Sequence, residues 1–551
     1  MATATLSPLD SFRLASDGFV LRSQPKELQN GHVTSLQEDL VIILQIVCYS
    51  VICGGEEIKA VWGLWPIPKT LTTGNTSLIL SSNFQINVNV AHAPSDLSSA
   101  VQRTKTNLKN DNLTRLVVGG GAADAQAIQH AKTISCLTLS LTKGAVVRSI
   151  SAEAIRPIDS RSEEYALSVP ADGSSATLTA NSTLGLLRGL TTFEQLWYFT
   201  NNEIYSIEMP VEITDFPAYP YRGFMLDTSR NFFPVSDIKR TLDAMSMTKI
   251  NTLHLHVTDS QSFPLQIPGF TEVSTKGAYS PEQVFTPADV QDIVSYAGER
   301  GIDVLVEIDT PGHTAIIAES HPEHVACSQA TPWSSFANEP PAGQLRLASP
   351  ATANFTAELI SAAAQMFPSS FFSTGGDEVN ENCYTQDPET QQILNATGQT
   401  LEQALNAFTQ ATHGALEKLG KTPVVWEEMV LDHNITLSNE TVVMVWISSA
   451  NAAAVAEKNF RLVHGPSDYF YLDCGAGEWI GDDPTGNSWC DPFKTWSNVS
   501  VPHIIYSANN SILMDDSHTP SIPWPISQMP THISFLEVNS FSGPNNPLRR
   551  T

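Results

Sequence analysis

Phe371-Phe-Ser-Thr-Gly-Gly-Asp-Glu-Val379 runs from an apolar strand through two glycines into two adjacent carboxylates. Consecutive strand residues point to opposite faces, but where the chain turns at the strand's C-terminal end such a pair can converge on one pocket. Two neighbouring acids rarely ionise alike, so one can hold a proton for a leaving oxygen while the other stays charged. That is the equipment of carboxylate chemistry on a sugar. Taken alone, the segment is equally compatible with an Asp-Glu helix cap after a turn.

The surrounding sequence favours chemistry. Short apolar runs at 223–227, 252–257, 302–308, 371–375, 424–426, 442–446 and 462–464 predict strands, and between them 236–248, 287–300, 353–366, 389–419 and 449–459 carry apolar residues at helical spacing. This alternation predicts a parallel sheet, and seven or eight units predict a (β/α)8 TIM-type barrel of the α/β class. Chemistry in such barrels gathers where strands end. Here the ends are polar and aromatic: Asp227-Thr-Ser-Arg230, His254-Leu-His256 with Asp259, Glu307-Ile-Asp309 with His313, Asp377-Glu378, Trp426-Glu-Glu428 and Trp446. Trp426 and Trp446 offer flat walls to the C–H faces of a sugar, or else pack in the core. Arg230 offers a fork of donors to hydroxyls, or else closes an ion pair with Asp227.

Arg222-Gly-Phe-Met-Leu-Asp-Thr-Ser-Arg230, His254-Leu-His-Val-Thr-Asp259, Asp309-Thr-Pro-Gly-His313, Gly375-Gly-Asp-Glu378 and Val425-Trp-Glu-Glu428 resemble the β-N-acetylhexosaminidases of glycoside hydrolase family 20, fungal members above all, from about Trp62 to Trp496. The resemblance implies exo-acting hydrolysis of terminal non-reducing N-acetyl-β-hexosamine residues, on chitin oligosaccharides or glycoconjugates. It also implies a retaining mechanism in which the substrate's own acetamide is the nucleophile. On this carry-over Glu378 is the general acid and Asp377 orients the acetamide, whose oxygen Tyr471 binds. Arg230 and Asp473 hold ring hydroxyls, Trp426 and Trp446 are walls, and His313, Asp309, Asp259 and His256 support them. Cys327–Cys383 and Cys474–Cys490 resemble family loop disulfides, the second bracketing Trp479. Neither cofactor nor metal is implied, and pairing into a homodimer stays open.

Two rivals remain. His254 and His256 with His313 and Asp377 could hold zinc in a metal-dependent barrel hydrolase. The chain could also be a truncated, catalytically dead sugar-binding relative. The second draws on a departure at the C-terminus, where the family's last strand, ending in Leu-Trp-x-Glu, is missing or replaced. Residues 499–551 instead scatter Pro502, Pro520, Pro523, Pro525, Pro530, Pro544 and Pro547, which oppose a central strand, and Ile504-Ile-Tyr506 would be a poor substitute. Ser542-Gly-Pro-Asn-Asn546 is similar to the family sequence just after that strand, which points to an altered gene structure.

Residues 1–61 form an atypical extension whose apolar run, 40–53, has the length of a signal-peptide core, placed unusually far from the start for a signal and open to reading as a signal-anchor. Residues 62–215 predict a small α+β domain, with strand-like runs at 77–90, 133–141 and 165–178 and a helix over 184–198. The barrel would occupy 216–498 and an irregular tail 499–551. Gly119-Gly-Gly121 is a loop, since no Gly-Lys-Ser/Thr follows. Nine Asn-x-Ser/Thr acceptors, at Asn75, Asn112, Asn181, Asn354, Asn395, Asn434, Asn439, Asn498 and Asn509, favour a secreted or vacuolar-lysosomal location. A net charge of −27 opposes nucleic acid and anionic membranes as partners and suits a neutral oligosaccharide.

Overall fold

A computed structural model describes residues 63–475, 477 and 485–494 and the backbone of Glu537–Val538. The apolar run 40–53, Trp62, Trp479, Trp496, Asn498, Asn509, Ile504-Tyr506 and the rest of the tail lie outside the described residues. No helix among those described is long and apolar enough to cross a membrane.

The first sheet contains β1 (Thr70–Asn89), β2 (Lys132–Leu141), β3 (Tyr165–Val169), β4 (Ala176–Ala180), β5 (Tyr198–Thr200) and β6 (Glu203–Asp215), in the order β1-β2-β4-β3-β6-β5. Alternating residues such as Leu137 and Leu139, or Leu167 and Val169, are buried against helices Ser95–Asn110 and Thr183–Gln195. The second helix contributes Leu186, Leu190 and Phe193, and its first turn is capped by Ser182, which accepts from the Gly185 N–H. The run 165–178, read from sequence as one strand, is a hairpin. Its turn holds Asp172, which accepts from the Ser174 N–H, and Gly173 at φ +82°, so the backbone reverses where only a left-handed residue fits.

The second sheet is the barrel. It contains β7 (Gly223–Asp227), β8 (Thr252–His256), β9 (Asp303–Glu307), β10 (Phe371–Ser373), β11 (Thr422–Trp426), β12 (Val442–Val445) and β13 (Arg461–His464), neighbours in that order and all parallel. The eighth position, where the family strand was expected to be missing or replaced, is taken in part by a replacement: Glu537–Val538 (β14) pairs in parallel with Met225 and Leu226 of β7. The proline argument failed because 533–538, Ile-Ser-Phe-Leu-Glu-Val, carries no proline between Pro530 and Pro544. The predicted long helix 389–419 is two helices, Pro388–Thr397 and Leu401–Lys418. Gly398 ends the first at φ +70°, and a Thr400/Gln403 capping box starts the second.

Period two sorts the barrel strands. Leu253, Leu255, Val304, Val306, Phe372, Val425 and Val443 pack outward against the helices, while Met225, Leu305, Val424, Trp426, Met444 and Val463 form a separate inner cluster. Strand register then places Asp227 beside His256, His256 beside Glu307, and Glu307 beside Ser373. Four polar residues of four strands thus stand in one row at the end where the chains turn.

Candidate active site

The row is knitted by its own chemistry. Glu307, fully buried, accepts from His254 Nε2 at 2.9 Å and His256 Nδ1 at 2.6 Å, and receives the Ser373 hydroxyl. His256 Nε2 stands 3.0 Å from Asp259 Oδ2, and the other oxygen of Asp259 is 3.3 Å from His313 Nδ1. Burial would push His256 down, but the Asp227, Asp259 and Glu307 carboxylates raise it well above an ordinary imidazole. Both ring nitrogens of His256 are thus turned to carboxylates, Glu307 at Nδ1 and Asp259 at Nε2, and His254 likewise faces Glu307.

His313 links this network to the predicted catalytic pair. Its Nε2 lies 3.4 Å from Asp377 Oδ2 and 3.2 Å from Glu378 Oε2. Burial opposes its charge, yet Asp259, Asp377 and Asp309 together raise it well above its usual value. Burial and the neighbouring Asp377 charge push Asp309 the other way for an acid, well above the carboxylate range. Asp309 thus keeps its proton and supports Asp377 by a side-chain hydrogen bond. Its Oδ1 also accepts from the Gly376 N–H at 2.9 Å.

The two glycines are required by this crowding. A Cβ on Gly375 would sit 1.8 Å from Asp309 Oδ1, one on Gly376 would meet Met429, and both glycines have positive φ. Glu378 itself sits at φ +53°, a conformation that non-glycine side chains seldom adopt and that the surrounding hydrogen bonds must hold. The turn that presents both acids is thereby set at an angle that an ordinary strand-to-helix turn would not give.

Of its two predicted roles, Arg230 shows the ion pair. Its guanidinium meets Asp227 at 2.7 Å, Asp259 at 3.0 Å and Glu339 at 2.8 Å, so the ion pair with Asp227 exists within a larger knot. Glu339 was missed by sequence reasoning. It lies in the irregular stretch between the short strands Val325–Ala326 and Gln344–Leu345, where no periodicity marks it. Trp489, also missed, meets Trp446 and Tyr471 edge-on at 5.8 and 5.5 Å between ring centroids.

Of the expected walls, Trp446 is half-buried and stacks at 6.4 Å with Tyr471, whereas Trp426 is buried in the inner cluster, its ring stacked on His254. Asp473, half-buried, follows Tyr471 by two residues and adjoins the Cys474–Cys490 disulfide. Cys327–Cys383 is also formed, and Cys136 is free.

Behind the turn that carries Asp377 and Glu378, Thr374 Oγ1 lies 3.0 Å from Nε2 of His413, which burial pushes down to about 4. The unfolded chain, at an ordinary imidazole value, binds more protons between about 4 and about 6.5, so stability conferred by the neutral ring is lost as pH falls through this window. His413→Gln keeps a polar partner for Thr374 and does not titrate. In urea denaturation it is expected to regain on the order of 3 kcal/mol between pH 7 and pH 4 relative to the wild type; parallel losses in both proteins would refute this.

Known proteins resemble this chain in sequence and fold. The glycosyl hydrolase family 20 catalytic domain matches residues 219–515, and a domain described as beta-acetyl hexosaminidase like matches 64–196. A beta-hexosaminidase of Arthroderma benhamiae is 35% identical over 62% of this chain and 58% of its own length. A chitooligosaccharidolytic beta-N-acetylglucosaminidase of Bombyx mori is 36% identical over 61% and 58%. The crystal structure of a Flavobacterium johnsoniae chitobiase superposes with a TM-score of 0.60 at 26% identity, covering 76% of this chain and 60% of that one. The chain thus spans less than two thirds of the length of these relatives. With the catalytic-domain match extending over more than half of its residues, the chain belongs to glycosyl hydrolase family 20.

Proposed function

We propose that the protein removes terminal non-reducing N-acetyl-β-hexosamine residues, from chitin oligosaccharides among other glycans, with the substrate's acetamide as nucleophile. The observation that carries this reading is the Asp377–Glu378 pair, turned by two crowded glycines so that both carboxylates come within 3.4 Å of His313 Nε2. The acetamide oxygen bonds to the anomeric carbon as the glycosidic bond breaks, and Glu378 gives its proton to the departing oxygen. Asp377, beside Asp309, faces the acetamide N–H and stabilises the positive charge that builds there. Glu378, now a carboxylate, takes a proton from the water that opens the cyclic intermediate, so configuration is retained.

Tyr471 is assigned to the acetamide oxygen, and Arg230, held rigid by three carboxylates, and Asp473 to ring hydroxyls. Trp446, Trp489 and Trp426 form the apolar sides. We assign residues 62–215 to a supporting domain and 216–498 to the catalytic one. Export from the cytosol is supported by the two disulfides and by the exposure of all seven acceptor asparagines among the described residues.

The test is release of a chromogenic aryl group from its N-acetyl-β-glucosaminide, with Asp377→Asn alongside. The amide cannot offset acetamide charge, and kcat is expected to fall by roughly 10²- to 10³-fold whatever the leaving group. A normal rate in this variant would remove the acetamide mechanism.

A further inference from the structure

The sugar wall Trp446 is fastened from one side by two neighbouring glutamates outside the catalytic pair. Trp446 Nε1 donates to Glu428 Oε2 at 2.9 Å. The next backbone N–H, of Ile447, donates to Glu427 Oε1 at 3.0 Å, and the same oxygen accepts from Asn451 Nδ2 at 3.0 Å. Glu427 follows β11 directly and Glu428 opens the short helix Glu428–Leu431, and this segment is joined to the turn of the catalytic pair: the Trp426 N–H donates to the Gly375 carbonyl at 3.1 Å, and Met429 packs against Gly376. Residues 426–429 are therefore a wedge between the Asp377–Glu378 turn and the indole.

We propose that Glu427 and Glu428 are positioning residues, which hold Trp446 and the backbone after it at a fixed offset from Asp377. This rests on the reading of Trp446 as a pocket wall. A wall one rotamer out of place would stop guiding the sugar ring, and with it the acetamide, toward the reacting carbon.

The protonation of the pair fits the task. Burial, then the charge of Asp377, pushes Glu428 up to about 8, and burial pushes Glu427 up to about 7. A neutral Glu428 can accept from the indole without adding charge beside Asp377. The ionisable groups facing it are Asp377 across the turn and Glu427 on its own segment, with Asp432 beyond Glu427; all are acids. As pH rises through about 8 the carboxyl ionises; the charged form still accepts from the indole but repels Asp377 across the turn, so the fixed offset between wall and pair is lost on the alkaline side.

The experiment compares wild type, Glu428→Gln and Glu428→Leu in the full chain, on the aryl N-acetyl-β-glucosaminide and by near-ultraviolet circular dichroism. Gln keeps an acceptor and stays neutral, so KM is expected within about two-fold of wild type, with the alkaline limb of kcat/KM displaced to higher pH. Leu removes the acceptor and should raise KM about ten-fold, the size of one lost buried hydrogen bond, with a smaller effect on kcat. Unchanged KM in Glu428→Leu, or equal impairment in both variants with an unshifted pH profile, would overturn the proposal. Should the wild type turn over nothing, the functional reading falls and the spectra still decide: altered tryptophan bands in Glu428→Leu alone support positioning, and three identical spectra refute it.

Discussion

Glu378→Gln is expected to lower kcat by roughly 10²- to 10⁴-fold on an N-acetylglucosaminide whose leaving group is an alcohol, while an aryl leaving group that departs as its anion loses far less. The amide fills the same volume and meets His313 through similar contacts, so binding should survive. What disappears is the proton. The contrast with Asp377→Asn is the useful part, because that variant should suffer equally with good and poor leaving groups. A Glu378→Gln enzyme that hydrolysed both classes alike would mean that protonation comes from elsewhere. The geometry makes that source hard to find. Asp309 is buried and committed to Asp377 and the Gly376 N–H, and His313 is held between Asp259 and the catalytic pair.

Much of this site was legible before any coordinates, for a physical reason. Parallel barrel strands are short, apolar on both faces and bounded by helices of opposite periodicity, so β7 to β13 stood out, and a polar residue at the end of such a strand has few structural excuses. Asp227, His256, Asp309 and Asp377 were found that way. Glu339 and Trp489 were not, since they reach the pocket from irregular loops whose path is fixed by long-range contacts and not by local pattern. The hairpin at Gly173 and the helix break at Gly398 carried readable turn chemistry that apolar periodicity masked. β14 was missed because proline density was averaged over the whole tail, whereas the strand occupies a proline-free gap.

The largest stability effect is expected away from the pocket, at Glu163. It lies two residues before β3 of the first sheet, and one of its oxygens receives Arg188 Nε and Arg222 NH2, each at 2.6 Å, while Asn251 donates to the other. Arg188, on helix Thr183–Gln195, continues to the Gly301 carbonyl, and Arg222 and Asn251 lead into β7 and β8. One carboxylate thus compensates two buried guanidiniums where the two sheets meet. Burial would raise it, but Arg222 and Arg188 bring it down to about 2. Glu163→Gln leaves both cations without a counter-charge and is expected to cost about 3–5 kcal/mol at pH 7 in urea denaturation. The folded value lies below the unfolded one, so the wild-type advantage is complete above an ordinary glutamate value and fades as pH falls toward about 2. The gap between the two proteins should therefore narrow on acidification from pH 5 to pH 3. A constant gap would assign the loss to altered packing, and a loss below about 1 kcal/mol at pH 7 would mean that water or a shifted side chain already screens the two arginines.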